Sequence, residues 1–337
     1  MEFIGIDLHL KTSYVCFLND AGEKTCEMTI PTTKSALKRH FETLEPARII
    51  IEAGSYSLWV NRLLSSFDHK VIVANPRKVR LIAESTLKND RVDAEVLARL
   101  GRSDPHFLCP ITPRGPESQL TRGYLKVRAA LVKTRTLEIN SVRGLLRSWG
   151  FSFSAGYPAK FCERVLQSNL PSELLDMVTP LIESILAVQA QIANCEQELK
   201  RRANAIPTVR NLMSMPGIGP IISLAFFASI DQPERFPKSR QIGSYLGFRP
   251  SLRESGGKRR MGPISKEGDQ ELRALLVQGA YSLMRSQKES ALKEWATKLG
   301  ERIGRKKAIV ALARKMGVIL HHLWITGQPF QPFPQAS

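Results

Sequence analysis

Short apolar runs alternate with helix-like segments over the first hundred residues, and this alternation constrains the fold more than any other feature. Residues 48–52 (RIIIE) and 70–74 (KVIVA) are almost wholly apolar, as strands buried on both faces are. Residues 55–66 between them have a helical composition. Strands and helices that alternate in this way predict an α/β domain whose sheet is covered on both faces.

The chain begins with two more apolar runs, Phe3–Leu8 and Ser13–Leu18, which are separated by four residues. This spacing predicts an antiparallel hairpin, so that the whole sheet is mixed. We also expect a helix over 33–43, and another that begins at Pro76, because proline is favoured in the first helical turn.

The rest of the chain is predicted to be mainly helical. A proline-rich stretch, 105–116, marks the first boundary, and the proline-free stretch 117–149 predicts a long helix. After an irregular segment, 150–171, a second helix is expected to begin near Pro180. Its apolar positions between Leu181 and Leu199 recur by four and three, which fits either a helical hairpin that closes on itself or a coiled-coil dimer interface. The predicted domains are 1–110, 117–205 and 206–330.

Charge and cysteine content limit the function. The 337 residues include 49 Lys and Arg against 31 Asp and Glu, a net charge of +18, which favours a polyanionic partner such as nucleic acid. The 5 cysteines form no CxxC pair and are odd in number, which argues against a disulfide framework or zinc knuckle and for a reducing cytosol. No signal peptide is visible, and the most apolar stretch, 218–230, is shorter than the ~20 residues of a membrane span. We therefore expect a cytoplasmic protein with no membrane partner.

Four carboxylates stand where a metal-dependent nuclease would need them. Asp7 and Glu52 come at the ends of apolar strands, and Asp90 and Asp93 share one face at the start of a predicted helix. Carboxylates that converge in this way repel one another unless cations join them, and two Mg²⁺ ions can bind the attacking and leaving oxygens of a phosphodiester. The simpler interpretation makes Asp90 a helix N-cap and Asp7 the start of a turn.

Residues 5–13 (GIDLHLKTS) also resemble the first phosphate loop of the actin-like sugar kinases and chaperone ATPases. The sequence shows neither the later Asp-x-Gly loop nor the glycine-rich adenosine motif that such proteins need. Leu10 also stands where a turn glycine would help, so an ATPase is disfavoured.

Two further motifs lie in the last third of the chain. Residues 215–220 (MPGIGP) predict a helix-hairpin-helix-like turn in which Gly217 and Gly219 leave backbone N–H groups for a phosphate; a packing turn without a ligand is the alternative. The stretch 249–260 predicts a basic loop, in which Ser255 precedes two glycines. The hydroxyl of Ser255 is either a nucleophile or only a hydrogen-bond donor to phosphate. The cations of this loop are Arg249, Arg253, Lys258, Arg259 and Arg260.

These motifs, in this order, resemble one family over nearly the whole chain: the DEDD-type (RuvC-like) transposases of insertion sequences, the IS110 family that includes the Piv DNA invertase. The N-terminal motifs are residues 5–7 (GID), 51–54 (IEAG) and 89–94 (NDRVDA); the C-terminal motifs are residues 216–219 (PGIG), 245–247 (YLG), 255–260 (SGGKRR) and 264–269 (ISKEGD). Asp269 departs from the pattern, because many members have asparagine there.

The resemblance implies an RNase H-like (RuvC-like) catalytic domain, a coiled-coil helical linker and a mainly α-helical transposase domain. It implies that Asp7, Glu52, Asp90 and Asp93 hold Mg²⁺, with Mn²⁺ as a substitute. Ser255 would attack DNA to form a covalent phosphoserine; Ser251 and Ser265 are the nearby alternatives. The implied partners are donor and target DNA, a structured non-coding guide RNA, and further copies of the chain in a dimer or tetramer.

Two other functions remain open at this point. One is a junction-resolving nuclease of the same fold, in which metal-activated water is the nucleophile. The other is a non-catalytic nucleic-acid-binding scaffold, in which the carboxylates are only caps and turns.

Overall fold

The computed structural model describes residues 1–76, 90–154, 156–255 and 258–333, and of residues 252–255 and 258–261 it describes the backbone. The chain divides into two compact units, residues 1–114 and 115–337.

The first unit is built on a five-stranded mixed sheet. Its strands are β1 (Phe3–Leu8), β2 (Thr12–Leu18), β3 (Lys24–Pro31), β4 (Arg48–Glu52) and β5 (Lys70–Ala74). They lie in the order β3-β2-β1-β4-β5. The pairs β1–β2 and β2–β3 are antiparallel, and β1–β4 and β4–β5 are parallel. The predicted mixed sheet is therefore confirmed, and the arrangement is compatible with an RNase H-like fold.

Helices cover both faces of this sheet. Helices α1 (Lys34–Phe41) and α2 (Ser57–Ser65) pack their apolar residues, among them Leu37 and Val60, on the face that carries Ile4 and Ile6. Helix α3 (Asp90–Ser103) packs on the opposite face, where Ala94 and Ala98 join a cluster with Phe3. A short 3-10 helix, Pro105–Leu108, ends the unit.

The edge strand β3 was not predicted. Its first residues, Lys24-Thr25-Cys26-Glu27, are exposed, so the strand lacks the apolar alternation that marks β1 and β2. Instead, Lys24 Nζ lies 2.6 Å from a carboxylate oxygen of Glu95, which links this edge to α3. The helix expected to begin at Pro76 falls on residues 77–89, outside the described residues.

The second unit consists of nine described helices and one hairpin. The helices are α4 (Pro116–Ser148), α5 (Pro158–Leu166), α6 (Ser172–Ala205), α7 (Pro207–Leu212), α8 (Pro220–Ile230), α9 (Gln241–Tyr245), α10 (Gln270–Arg285), α11 (Ala291–Ile303) and α12 (Arg305–Thr326). The hairpin strands are β6 (Pro250–Ser255) and β7 (Lys258–Ile264). The largest core joins α8, α10 and α12 through residues such as Phe226, Leu276 and Leu312.

Two sequence predictions for the stretch 150–205 of this unit were wrong. The second long helix begins at Ser172 and runs through Pro180. Leu174 and Val178 already belong to its buried stripe, so packing outweighs the ~3 kcal/mol helix penalty of an interior proline. The segment 150–171, expected to be irregular, contains α5, whose Phe161 is buried against the same cluster.

Helices α4 and α6 form an antiparallel hairpin. Arg128 Nε donates to Glu196 at 2.7 Å near one end, and Ser184 Oγ donates to Glu138 at 2.7 Å near the other. The predicted apolar seam is buried within the unit itself, since Ile185 is 0% and Ile192 2% exposed. Of the two interpretations of the seam, the hairpin that closes on itself therefore accounts for these side chains.

Helices α6 and α12 are long and apolar enough, by length and composition, to cross a membrane. This is weak evidence, because the core helices of soluble proteins meet the same criteria. Leu199 of α6 and Leu312 of α12 are both fully buried in this unit.

Candidate metal centre and serine hairpin

Asp7 and Glu52 stand side by side at the carboxyl ends of two neighbouring parallel strands. They directly follow Ile6 and Ile51, which are partners in the β1–β4 register. Because side chains alternate along a strand, Asp7 lies on the same face as Gly5, and Glu52 on the same face as Ile50. That face is the one covered by α3.

Helix α3 packs on this face at unusually short range. A Cβ on Gly5 would lie 1.9 Å from the carbonyl oxygen of Ala94, and a Cβ on Gly101 would lie 2.1 Å from Ile50 Cδ1. Only glycine allows either approach. The close packing sets the first described turn of α3, which carries Asp90 and Asp93, against the end of β1.

The polar side chains at this edge converge. His9 Nε2 lies 3.0 Å from Asp7 Oδ2 and 3.4 Å from Asp90 Oδ2. One ligand atom from each of these three residues lies within 4.8 Å of the others. The side chain of Asp7 is 14% exposed, whereas that of Asp90 is 49% exposed, so the cluster opens towards solvent.

Electrostatics at the cluster favour a cation. Burial raises the pKa of the Asp7 carboxyl, the negative charges of Asp93 and Asp90 raise it further, and His9 opposes them. The carboxylates of Asp7, Asp90 and Asp93 thus repel one another in a partly dehydrated place. Carboxylate oxygens are the ligands that Mg²⁺ prefers, and an added imidazole also suits Mn²⁺. The donor set therefore fits a divalent cation.

His9 was not predicted as part of this cluster. The available signal was its position two residues after Asp7, because the chain turns there from β1 to β2. The turn brings the imidazole back over the carboxylate that precedes it. From the sequence, residues 9–12 are expected only to connect the two strands of a hairpin.

The basic segment 249–260, predicted to be a loop, is instead part of the hairpin of β6 and β7. Ser255 ends β6, and its partner in the register is Lys258, the first residue of β7. The two strands are short and carry several charged residues, so they lack the apolar alternation from which a strand is predicted. The side chains of Arg253, Ser255, Lys258, Arg259 and Arg260 lie outside the described residues.

The other two serines near the hairpin have structural partners. Ser251 Oγ donates to the carbonyl oxygen of Pro263 at 3.1 Å, across the hairpin. Ser265 Oγ accepts from the N–H of Glu267 at 3.4 Å. These hydrogen bonds give both hydroxyls a structural role, so neither hydroxyl needs a catalytic role to account for it. Arg249 is exposed at the base of the same hairpin.

The turn 213–219 lies between α7 and α8. Gly217 has a φ of +83°, and a Cβ there would lie 2.4 Å from the carbonyl oxygen of Gly279 in α10. Packing alone therefore explains why glycine is needed at this position. Gly219 is the N-cap of α8, which begins with Pro220. Contact of either glycine with phosphate stays a prediction.

Asp269, where the resemblance leads us to expect asparagine in many members, has a structural role. One carboxylate oxygen caps α10 by accepting the N–H of Leu272 at 3.0 Å. The other accepts from Arg122 Nη1 at 2.7 Å and from Ser229 Oγ at 2.9 Å. An asparagine in this place would keep the cap but lose the charge that pairs with Arg122.

Comparison with known proteins agrees with this architecture. Residues 4–150 match the model of the DEDD transposases of the IS110 type, described as a transposase, and residues 209–295 match the Transposase IS116/IS110/IS902 family. The chain is 30% identical over 335 residues to the transposase for insertion sequence element IS1111A of Coxiella burnetii, covering 95% of this chain and 88% of that protein. It is 29% identical over 326 residues to a probable family 20 transposase of Pseudomonas aeruginosa, covering 94% and 95%.

The fold and its acidic edge thus define a DEDD transposase, an enzyme that acts on DNA. Within that class the chain belongs to the IS110 family of insertion-sequence transposases. The family implies a requirement for a divalent metal, which the cluster around Asp7 fits.

Proposed function

We propose that this protein moves an insertion sequence by cutting and rejoining DNA, with a metal-dependent acidic site and a serine nucleophile. Asp7, Glu52, Asp90 and Asp93 hold the metal, Mg²⁺ or Mn²⁺. The observation that carries the proposal is the convergence of Asp7 and Asp90, with Asp93 close enough to raise the pKa of Asp7. Glu52 completes the set from the adjacent strand end.

Bound Mg²⁺ would supply Lewis-acid stabilisation of a phosphodiester. The chain's own residues prepare that site. Asp7 presents a partly buried carboxylate that gains most from a neutralising partner, while the more exposed Asp90 leaves the site open to a large substrate. His9 orients Asp7 through the 3.0 Å contact of Nε2 with Oδ2.

Ser255 is the proposed nucleophile. Its Oγ forms a bond to phosphorus as the bond from phosphorus to one DNA oxygen breaks, and the serine proton leaves to a base or solvent. Attack on the phosphoserine by a DNA hydroxyl then restores the serine and rejoins the strand. The basic residues that follow Ser255 in the sequence, Lys258, Arg259 and Arg260, support this role, since cations near a phosphate favour the charge that develops on it.

The partners in this proposal are donor DNA, target DNA, a structured guide RNA and further copies of the chain. The cations Arg249, Arg253, Lys258, Arg259 and Arg260 bind phosphates, and the turn with Gly217 and Gly219 adds backbone donors. Such contacts position the nucleic acid and leave the choice of sequence to base pairing. The net charge of +18 supports nucleic acid as the partner, because nucleic acid is a polyanion.

Excision in cells tests the proposal, when it is scored by sequencing across the circular junction of the mobile element. Wild type should form junctions, and Ser255→Ala and Asp93→Ala should not. Ser251→Ala is the matched control, because its hydroxyl donates to the Pro263 carbonyl and should be dispensable for chemistry.

Three outcomes would contradict parts of the proposal. Junctions formed by Ser255→Ala would favour a junction-resolving nuclease that uses metal-activated water. The absence of any protein–DNA linkage from wild type under active conditions would favour the same conclusion. Purified wild type that binds DNA but cuts none with Mg²⁺ or Mn²⁺ would indicate a scaffold.

A further inference from the structure

A large cavity lies in the second unit, between the base of the β6–β7 hairpin and helices α11 and α12. Its volume is about 890 Å³, enough for more than one nucleotide-sized group. The apolar residues of its lining, which we call the floor, include Phe248, Ile264, Trp295 and Val310. Trp295 is half-buried, so part of its indole faces the cavity.

Five cations, which we call the rim, also line the cavity: Lys266, Lys306, Lys307, Arg314 and Lys315. All five are exposed, and no acidic residue lines the cavity within the described part of the chain. Other cations of this unit have carboxylate partners, as Lys293 has in Glu289 at 2.6 Å. Among the described residues, none of the five makes a side-chain hydrogen bond or ion pair.

Lys315 packs on Trp295 and has no carboxylate partner among the described residues. Its Nζ lies 4.1 Å from the centre of the Trp295 ring, and partial burial lowers the pKa of its ammonium. A cation–π contact is its compensation within the described residues. An arriving phosphate would give Lys315 and its neighbours the anionic partner that they lack.

The apolar floor and the cationic rim together indicate which kind of ligand fits the cavity. A duplex keeps its bases stacked inside and would offer this cavity phosphates alone, leaving the apolar floor uncovered. An acidic peptide offers charge without a planar apolar group to match Trp295. Unpaired nucleotides offer both, because each base has an apolar face and each linkage carries one negative charge.

We propose that this cavity binds unpaired bases of single-stranded DNA, with the bases on the floor around Trp295 and the phosphates on the rim cations. We infer DNA rather than RNA as the source, because the chain belongs to a family of transposases, which are enzymes that act on DNA. The cavity adjoins the Pro250–Ile264 end of the hairpin, and Ser255 lies at the other end, about 17 Å away at the usual rise of a strand. This inference needs the DNA substrate but not the serine chemistry.

Binding of a short fluorescent oligothymidylate to the full-length chain, followed by anisotropy, tests the inference. Trp295→Ala should weaken binding at least about fivefold, the lower end of what one base–aromatic stack contributes. Lys307→Glu should weaken binding as well and should flatten its dependence on salt, since fewer counterions are released. Lys307 is exposed, so this variant keeps the test valid even if Trp295→Ala unfolds.

Matched controls separate the cavity from the general charge of the chain. Trp149→Ala removes an indole that is 64% exposed and does not line the cavity. Lys298→Glu reverses a charge on α11 that does not line the cavity either. Both should bind like wild type. The anisotropy readout measures binding without strand cutting, so failure of the serine proposal would not be mistaken for failure of this one.

Photocrosslinking adds a direct readout. An oligonucleotide that carries iodouracil should form an adduct at Trp295, located by mass spectrometry. Wild-type affinity in both cavity variants would overturn the proposal, and so would equal competition by duplex DNA. Tighter binding of the matching oligouridylate, lost in the same variants, would overturn the assignment to DNA.

Discussion

Gly5 lies so close to Ala94 that any Cβ on Gly5 would come within 1.9 Å of the Ala94 carbonyl oxygen. Gly5 stands two residues before Asp7 on the same face of the sheet, and Ala94 directly follows Asp93. The spacing of the acidic residues is therefore set by contact between two backbones. The geometry of the acidic cluster therefore depends on the absence of a side chain at Gly5.

Gly5→Val should displace α3 from β1 and separate Asp7 from Asp90. We expect a clear fall in melting temperature and the loss of DNA cleavage, because a backbone atom cannot yield as a side chain can. Thermal unfolding and a cleavage assay measure the two effects. Gly54→Ala is the control in the same unit, since a Cβ there meets nothing within 4 Å and should leave the melting temperature unchanged. An unaffected Gly5→Val would contradict the packing described.

Asp7→Asn should stabilise the metal-free protein, increasingly so as the pH rises. The folded protein holds the Asp7 proton more tightly than the unfolded chain, because the folded pKa is raised above 3.8. Stability from this group is greatest below that value and is lost as the pH rises through the raised pKa. Melting temperatures of both proteins in chelator, measured across the acidic range, give the difference.

Metal should reverse the ranking of the same two proteins. Mg²⁺ or Mn²⁺ should raise the melting temperature of wild type at neutral pH, since it binds the folded site, and should raise that of Asp7→Asn much less. Glu45→Gln, an exposed substitution in the loop before β4, is the control. Equal shifts in wild type and Asp7→Asn would show that the cation binds elsewhere.

Asp269→Asn should destabilise the second unit by about 2 kcal/mol at neutral pH, the usual worth of a hydrogen bond to a charged group. Burial alone would raise the pKa of this carboxyl, but the hydrogen bonds from Arg122 and the Leu272 N–H hold it below 3.8. Its contribution is therefore present above pH 3.8 and lost as the pH falls through the folded value.

Denaturant unfolding at neutral and acidic pH measures this effect, and the gap between wild type and Asp269→Asn should narrow on acidification. Glu271→Gln changes an exposed carboxylate in the same helix and should behave like wild type. A gap that stays constant with pH would show that the charge of Asp269 is unimportant.

Ile185→Asp and Leu186→Asp should behave differently although they are neighbours. Ile185 is 0% exposed and packs inside the α4–α6 hairpin, whereas Leu186 is 41% exposed. Burying an unpaired carboxylate should lower the melting temperature sharply in the first variant only. Sedimentation of Leu186→Asp then tests whether this outer face joins copies of the chain, without loss of the fold.

The sequence predicts the elements that carry a clear apolar run or a long stretch without helix breakers. The apolar strands β1, β4 and β5 stand out, and α4 falls on the proline-free stretch 117–149. It misses β3, because an exposed edge strand needs no apolar alternation, and it misreads the β6–β7 hairpin, because charged residues occupy both of its strands. The predicted start of α6 near Pro180 is wrong, because proline usually stands in the first turn of a helix. Here Leu174 and Val178 continue the buried apolar stripe of α6 before Pro180.

The sequence indicates some residues of the candidate site but not their geometry. Strand ends and helix spacing indicate Asp7, Glu52, Asp90 and Asp93, yet nothing in the sequence says that Gly5 allows α3 to approach so closely. His9 enters only through the path of the turn between β1 and β2. The hydrogen bonds of Ser251 and Ser265 likewise cannot be read from the sequence.

The dependence of α3 on β1 has a consequence for incomplete chains. The first half of the acidic set is synthesised within the first 52 residues, and the second half follows only from Asp90 onwards. A product that stops short of α3 would carry Asp7 and Glu52 on a sheet with one face uncovered. Such a fragment would expose Phe3 and Ile50 to water, so truncation should yield an aggregating, inert polypeptide rather than an unregulated nuclease.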